Sequence, residues 1–388
     1  MNTQELMFTL IKSELFGIEP TQDVAALIDA EELERLYRLS KSHDLCHVVA
    51  AALEALPLGV DTADPYLQKF QKQQMIAIYR YQTATYELGS ICDLFESNAI
   101  LFIPLKGSVL RQYYPQPWMR TSCDLDIMVR RDDLDRATKL LVTSLGYRAE
   151  NKNFHNVSLF TQSGVHIELH FDLIEEMRHP AFAKILSTAW EDASPLDGKQ
   201  YQMGFSNEFF YFYHIAHMVK HFEEGGCGIR PFIDLLVLNR TLTFSQTLWD
   251  MLRQGALLDF ESNARTLSEA WFDSGEHTEL SRMTEQFILH GGVYGNLENK
   301  IAVQQQKKGG RFSYVIKKIF PPYRVLKLQY PVLKKHCYLM PVFVVVRWFR
   351  WLFGKNARRT VAELSMNSSI SDEKVNSASE LCHRLGLS

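Results

Sequence analysis

The chain has 388 residues, of which 46% are hydrophobic and 22% are charged, and its formal net charge is −3. This length predicts two or three domains, and this composition excludes an intrinsically disordered protein. The six cysteines include no Cys-x-x-Cys pair, which argues against a zinc-finger or disulfide framework and predicts reduced thiols in a cytoplasmic protein.

Residues 1–98 are predicted to form an N-terminal helical region. Apolar residues at helical spacing predict helices at Gln4–Phe16, Asp23–Leu39, His43–Leu56 and Asp64–Ser97. The chain has no basic leader followed by an apolar core and no window of eighteen apolar residues, so neither a signal peptide nor a transmembrane segment is predicted. We expect the region to pack against the unit that follows, and binding of a protein partner is the alternative.

Residues 99–200 alternate short apolar runs with helical stretches. The predicted strands are 101–105, 124–129, 147–150, 157–161 and 165–171, and the predicted helices are 108–114, 132–145 and 176–190. Because helices also precede and follow this unit, the sequence predicts an α+β fold, in which a small mixed β-sheet core is flanked by N-terminal and C-terminal helical regions.

Two of the predicted strands carry carboxylates. Alternation places Asp124 and Asp126 on one face of their strand, and it places Glu168 and His170 together on the polar face of another. If the strands are neighbours, three carboxylates meet on a surface that would not be buried without a compensating charge. Oxygen ligands without cysteine suit a hard cation, so we expect Mg²⁺ or Mn²⁺ at Asp124, Asp126 and Glu168. An exposed Asp-x-Asp pair with no metal is the alternative.

The turn Lys106-Gly107-Ser108 is predicted to bind phosphate. It joins a strand to a helix start, where unpaired backbone N–H groups attract anions, and Lys106 adds a full positive charge. Arg120 is a candidate for a second phosphate contact. The alternative interpretations are that Ser108 is a helix N-cap and that Lys106 is a solvated charge at the edge of the sheet.

This ordered set of motifs resembles the DNA polymerase β-type nucleotidyltransferase superfamily. More closely, Leu-Lys-Gly at 105–107, Asp-Leu-Asp-Ile-Met-Val at 124–129 and Ile-Glu-Leu-His at 167–170 resemble its branch of bacterial nucleotidyltransferases. The resemblance covers roughly residues 30–350, although the interval from Ser108 to Asp124 is longer than in many superfamily members.

The resemblance implies a metal-dependent nucleotidyltransferase. Such an enzyme moves a nucleoside monophosphate from an NTP to a hydroxyl of an acceptor and releases pyrophosphate. Asp124 and Asp126 would hold two metal ions, and Glu168 would complete the site and orient or deprotonate the acceptor hydroxyl. His170 would orient Glu168 or contact the acceptor. The acceptor class stays open among small molecules, glycans, proteins and RNA.

Residues 201–300 are predicted to form a helical domain. Asn207 is expected to cap a helix over Glu208–Glu224, in which His217 and His221 have the i,i+4 separation of a metal pair. Without a cysteine or an adjacent glutamate, core or cleft-lining histidines are the favoured interpretation. Arg230 and Asp234 are predicted either to line the cleft, as an Arg and an Asp do in similar relatives, or to form a structural salt bridge.

Residues 301–360 form a predicted basic aromatic helical segment, which contains fourteen of the 42 Lys/Arg residues and no Asp or Glu. Three interpretations fit it: a buried helix with a basic outer face, weak contact with a membrane surface, and contact with RNA or another polyanion. Residues 361–388 are predicted to be a polar, loosely attached tail.

Two other functions also fit these residues. One is a catalytically idle nucleotide-binding module that recruits a partner, and the other is a metal-dependent phosphohydrolase or nuclease. The three carboxylates argue against the first and the Gly-Ser turn against the second.

Overall fold

A computed structural model of the chain describes residues 1–20, 23–152, 156–173, 179–293, 295–308, 310–353, 365–367 and 369–387. It divides into two units. The first comprises Met1–His217 and Ile229–Thr278, and the second comprises Met218–Gly228 and Glu279–Ser388. Most described residues are helical and one small mixed sheet lies in the first unit, which confirms the α+β prediction. The finer five-part division stays a prediction.

The first unit opens with helices α1–α4, close to the predicted positions. They are α1 Thr3–Phe16, α2 Ala30–Ser42, α3 Cys46–Glu54 and α4 Pro65–Ser97. The predicted start of α2 at Asp23 is wrong, because Asp29 caps the helix by accepting a hydrogen bond from the Glu32 N–H at 2.8 Å. The predicted start of this helix at Asp64 is confirmed: Asp64 caps α4, and its carboxylate accepts hydrogen bonds from two N–H groups of the first turn.

The sheet has five strands in the order β1-β2-β5-β4-β3. The strands are β1 Phe102–Pro104, β2 Asp124–Val129, β3 Arg148–Lys152, β4 Asn156–Phe160 and β5 His166–His170. Strands β2 and β5 are parallel neighbours at the centre, and the other pairs are antiparallel. The three carboxylates were expected to meet if their two strands are neighbours, and β2 and β5 are neighbours.

One face of this sheet is covered by the C-terminal end of α4 and by helix α6, Leu134–Leu145. Leu125, Ile127 and Val129 of β2 are fully buried in that layer, and burial of each such side chain contributes roughly 1.5–3 kcal/mol. Period two then turns Asp124 and Asp126 to the opposite face, as predicted.

The first unit contains further elements. They are α5 Gly107–Leu110, α7 Pro180–Leu186, α8 Ala189–Asp192, β6 Ser194–Pro195, β7 Met203–Gly204, α9 Asn207–Glu223, α10 Arg230–Thr241, α11 Gln246–Gln254 and α12 Leu258–Phe272, with the last turns of α9 belonging to the second unit. The predicted helix 176–190 begins at Pro180 in the described part, and residues 174–178 lie outside it. The prediction that Asn207 caps α9 is wrong by one residue, because the Ser206 hydroxyl accepts a hydrogen bond from the Phe209 N–H.

The second unit is helical in its described residues. Its helices are α13 Glu279–Leu289, α14 Leu297–Lys308, α15 Arg311–Ile319, α16 Tyr323–Gln329, α17 Met340–Phe353 and α18 Asp372–Arg384. The expectation of a loosely attached tail is wrong for α18, because Leu381 and Cys382 are buried and Lys374 pairs with Glu298 of α14 at 2.7 Å. Among the described residues, none of the helices combines the length and the hydropathy of a transmembrane span.

Candidate active site

The central pair of strands brings acidic and imidazole side chains together on the face opposite α6. In the parallel register Asp124 lies beside His166, and Asp126 lies beside Glu168. Two overlapping groups of potential metal donors result, each with its ligand atoms within 4.8 Å of one another. They are Asp124, His166 and Glu168, and Asp126, Glu168 and His170. Each group combines two carboxylates with one imidazole, a donor set that a divalent cation such as Mg²⁺ or Mn²⁺ fits through its carboxylate oxygens.

Asp126 is the buried centre of the site. Its Oδ1 atom accepts hydrogen bonds from Lys106 Nζ at 3.0 Å and from His170 Nε2 at 2.6 Å. Burial opposes ionisation of Asp126, but the Lys106 charge and the His170 hydrogen bond outweigh it and hold the pKa of the carboxyl below its usual range. Asp126 is therefore an anion at neutral pH, with Lys106 as its internal counter-ion.

The other two carboxylates differ in their electrostatics. Burial and the neighbouring Asp126 charge raise the pKa of Asp124. A hydrogen bond from His170 Nε2, 3.3 Å from Glu168 Oε2, lowers the pKa of Glu168. His170 itself loses stability as a cation through burial, but its bonds to Asp126 and Glu168 raise its pKa overall. The raised pKa of Asp124 marks the negative charge that an added cation would relieve.

Lys106 approaches Asp126 from a strained turn. Its φ of 48° is a left-handed value that a non-glycine residue adopts only at a cost, and the residue directly precedes α5. The interpretation of Lys106 as a solvated edge charge is wrong, since its ammonium is paired with a buried carboxylate. Burial disfavours the Lys106 ammonium, yet Asp126 raises its pKa above the usual value, so the charge is retained.

Gly107 and Ser108 form the first positions of α5, after Lys106. The interpretation of Ser108 as the N-cap is wrong, because Lys106 occupies that position. The Ser108 hydroxyl is instead buried without a hydrogen-bond partner among the described residues. A Cβ atom on Gly107 would lie 3.1 Å from Ser122 Cβ, so the absence of a side chain lets the segment before β2 pack closely against the turn.

Arg120 and Asp234 form a buried ion pair behind this turn. Arg120 donates from Nε at 2.6 Å and from Nη2 at 2.9 Å to the two carboxylate oxygens of Asp234, and the Tyr114 hydroxyl donates to the same carboxylate at 2.6 Å. The remaining guanidinium nitrogen donates to the Thr121 carbonyl. Every guanidinium nitrogen of Arg120 thus has a protein partner, and a phosphate contact from this residue stays a prediction.

Arg230 does not pair with Asp234, which corrects the predicted salt bridge. Its Nη1 atom lies 3.1 Å from Asp44 Oδ2 and donates to the Thr121 carbonyl at 2.9 Å. The Thr121 carbonyl therefore accepts from both arginines. Through Arg230, the loop before β2 is joined to α10 and to Asp44 of the N-terminal helical region.

The spaced histidines His217 and His221 lie on α9. His217 is half-buried, with its ring centroid 6.1 Å from that of Tyr213, and His221 belongs to the second unit. The donor groups formed by the described residues include neither histidine. The favoured interpretation of core or cleft-lining residues stays a prediction.

The structure adds residues to the site that the sequence interpretation did not select. His166 shares the strand face of Glu168, so alternation was sufficient to find it. Tyr213 is buried near the site, and burial with the Asp126, Asp124 and Glu168 charges raises the pKa of its hydroxyl. Its proximity depends on the path of α9 and leaves no local sequence signal.

These observations define a class of protein: an α+β protein whose small mixed sheet presents clustered carboxylates and histidines beside a lysine-bearing turn. The chain belongs to a family described as "uncharacterised nucleotidyltransferase", whose sequence model matches residues 29–273. The expectation drawn from the motifs is confirmed at the level of the family. Neither a curated protein nor a solved structure gives a significant match to the chain.

Proposed function

We propose that this protein is a metal-dependent nucleotidyltransferase that moves a nucleoside monophosphate from an NTP, such as ATP, to an acceptor hydroxyl and releases pyrophosphate. The observation that carries the proposal is the convergence of Asp124, Asp126 and Glu168 on one sheet face beside Lys106. Membership of a nucleotidyltransferase family supports the same reaction class. We place the reaction in the cytoplasm, where NTPs are available.

Asp124, Asp126 and Glu168 would hold Mg²⁺ or Mn²⁺. When bound, the metal would supply neutralisation of charge on the phosphates and on the attacking oxygen. The donor chemistry fits, because each group supplies two carboxylates and Asp126 is ionised by its surroundings. The protein contributes the fixed arrangement of these anions on two neighbouring strands.

Lys106 would exchange partners when the nucleotide binds. In the free protein its ammonium neutralises Asp126, and a metal at that carboxylate would take over this role. Lys106 is then available to a phosphate oxygen, together with the Gly107 backbone and the Ser108 hydroxyl, which has no partner among the described residues. Arg120 would support the turn through the Thr121 segment, with phosphate contact as the alternative.

Glu168 would orient the acceptor hydroxyl. Its lowered pKa keeps it ionised at neutral pH, so it can accept a hydrogen bond from the hydroxyl and draw away its proton as the bond to phosphorus forms. His170 holds the Glu168 and Asp126 carboxylates in place through one nitrogen. The acceptor is a small molecule, a glycan, a protein or RNA.

A catalytically idle nucleotide-binding module is the second candidate. The observation that favours it is the Lys106–Asp126 pair, since a permanent internal cation would take the place of a metal. A metal-dependent phosphohydrolase would use the same donors on water.

The experiment is to measure pyrophosphate release from each of the four NTPs by the purified chain, with Mg²⁺ or Mn²⁺, with and without cell extract. We expect release that needs the metal and rises with extract, and we expect Asp126→Asn and Glu168→Gln to abolish it. Asp172→Asn is the matched control, because Asp172 follows β5, the strand of Glu168, but its side chain is half-exposed and pairs with Arg131. NTP binding without release in any condition would favour the idle module.

A further inference from the structure

The second unit carries an exposed apolar surface on α15 and α17. We name it the apolar surface of the second unit, and its residues are Phe312, Ile316, Phe320, Val342, Val345, Val346 and Phe349. Phe312 is 79% exposed and Phe349 is 59% exposed, values that are unusual for phenylalanine. The spacing is i, i+4 and i+8 from Phe312 to Phe320, which directly follows α15, and i, i+3, i+4 and i+7 along α17, so the residues form stripes rather than isolated exceptions.

Helix α17 is apolar on two opposite sides. Its inner side packs Val344 into a small core with Leu326, Tyr330 and Leu333. Its outer side presents valines to solvent, although the inner side already accounts for the packing of the helix. A helix that is apolar all round is normally buried on all sides, so the outer stripe implies an apolar environment that the described chain does not provide.

The two helices meet at an aromatic contact. The Phe320 ring lies edge-on to Trp348 at 5.3 Å, and the Trp348 indole N–H donates to the Ile319 carbonyl at 2.9 Å. The end of α15 is thereby fixed against α17. The stripes are presented by a packed helix pair and are part of its folded form.

The charge of the segment that carries this surface argues for one occupant. The segment 301–360 contains fourteen Lys/Arg residues and no Asp or Glu, and Lys317 and Lys335 are exposed. Two copies of such a segment would repel each other, which argues against a second copy of the chain. Nucleic acid would match the charge, but aliphatic valines offer it no stacking platform. An anionic lipid surface fits both the apolar stripes and the positive charge of this segment.

We propose that the apolar surface of the second unit docks on the surface of a membrane that contains anionic lipid, with the α17 valines and the phenylalanines entering the headgroup boundary and the lysines contacting lipid phosphates. The proposal is independent of the nucleotidyl-transfer function. The surface lies outside residues 29–273, which the family model matches.

The experiment is co-sedimentation of the full chain with vesicles, without nucleotide or metal. We expect binding to vesicles of phosphatidylglycerol and phosphatidylcholine at low salt, loss of binding as salt rises, and little binding to phosphatidylcholine alone. Val342→Asp with Val345→Asp should abolish sedimentation. Lys317→Gln with Lys335→Gln should raise the half-saturating lipid concentration by roughly 30-fold, since each basic residue near an anionic surface contributes about one kcal/mol.

Met75→Asp is the matched control, because Met75 is 65% exposed but lies on α4 of the first unit. This variant should sediment with vesicles like the unaltered chain. Circular dichroism melting checks that each variant is folded. Failure of the folded, unaltered chain to bind anionic vesicles at low salt would overturn the proposal. The proposal would also be overturned if the chain self-associates, does not bind vesicles, and loses its self-association in the valine variant. Binding to RNA in preference to vesicles would overturn it as well.

Discussion

The buried ion pair between Arg120 and Asp234 should be a large contributor to the stability of the first unit. Asp234 is fully buried and accepts two hydrogen bonds from Arg120 and one from Tyr114. Asp234→Asn keeps the shape of the side chain, but it removes the negative charge and turns an N–H group toward Arg120. The arginine then remains buried without a counter-ion.

The expected cost follows from that geometry. Removing one partner of a buried pair costs about 3–5 kcal/mol, because the remaining charge loses its compensation. Asp250→Asn is the matched control, since Asp250 pairs with Arg253 at 2.8 Å on the surface of α11 and about half of each side chain is exposed. An exposed pair of this kind contributes less than about 1 kcal/mol.

The assay is urea unfolding followed by circular dichroism, with the free energies compared in a double-mutant cycle. Arg120→Met combined with Asp234→Asn should cost less than the sum of the two single variants, because the double variant has no unpaired cation. A cost for Asp234→Asn as small as that of Asp250→Asn, or simple additivity in the cycle, would refute this account of the pair.

Three further results are expected. Burial lowers the pKa of His47 from 6.5 to about 4, so between these pH values the folded chain binds fewer protons there than the unfolded chain. The stability that His47 contributes is therefore present above pH 6.5 and is lost as the pH falls toward 4, and His47→Gln should remove about 3 kcal/mol of this pH dependence from the free energy of urea unfolding. The same pH dependence of unfolding in both proteins would contradict this. Lys106→Gln should tighten Mn²⁺ binding in the absence of nucleotide by at least roughly tenfold, because the lysine no longer competes with the metal for Asp126. Electron paramagnetic resonance measures this affinity, and weaker binding would contradict the exchange of partners by Lys106. Gly295→Ala should lower the melting temperature of the second unit or prevent its folding, because φ is +71° and a Cβ would lie 2.1 Å from the backbone of Gly225; an unchanged melt would contradict this packing.

The sheet and the carboxylate set were largely predictable from the sequence. Period-two alternation in 124–129 assigned both faces of β2, and the same argument placed Glu168 and His170 on the polar face of β5. Local pattern could not show that β2 and β5 are parallel neighbours, since that pairing joins residues far apart in the chain. Only the structure shows that β2 and β5 are hydrogen-bonded to each other.

The ion pairs around the site were not predictable in the same way. Arg230 and Asp234 have the i,i+4 spacing of a helical salt bridge, yet Asp234 binds Arg120 and Arg230 binds Asp44. Both partners come from distant segments, and burial makes those contacts stronger than the local pair. The Lys106–Asp126 pair was missed for the same reason. Fine boundaries, such as the start of α2, failed where a capping residue lay inside an otherwise helical pattern.

The decisive observation for nucleotidyl transfer is the fate of the α-phosphorus of the NTP. The chain would be incubated with Mg²⁺, cell extract and NTP labelled at either the α- or the γ-phosphorus, alongside Asp126→Asn and Asp172→Asn. We expect the α-label in an acceptor product and the γ-label in pyrophosphate, for the unaltered chain and Asp172→Asn but not for Asp126→Asn. Release of the γ-label as orthophosphate while the α-label stays in the nucleoside diphosphate would contradict nucleotidyl transfer and identify a phosphohydrolase.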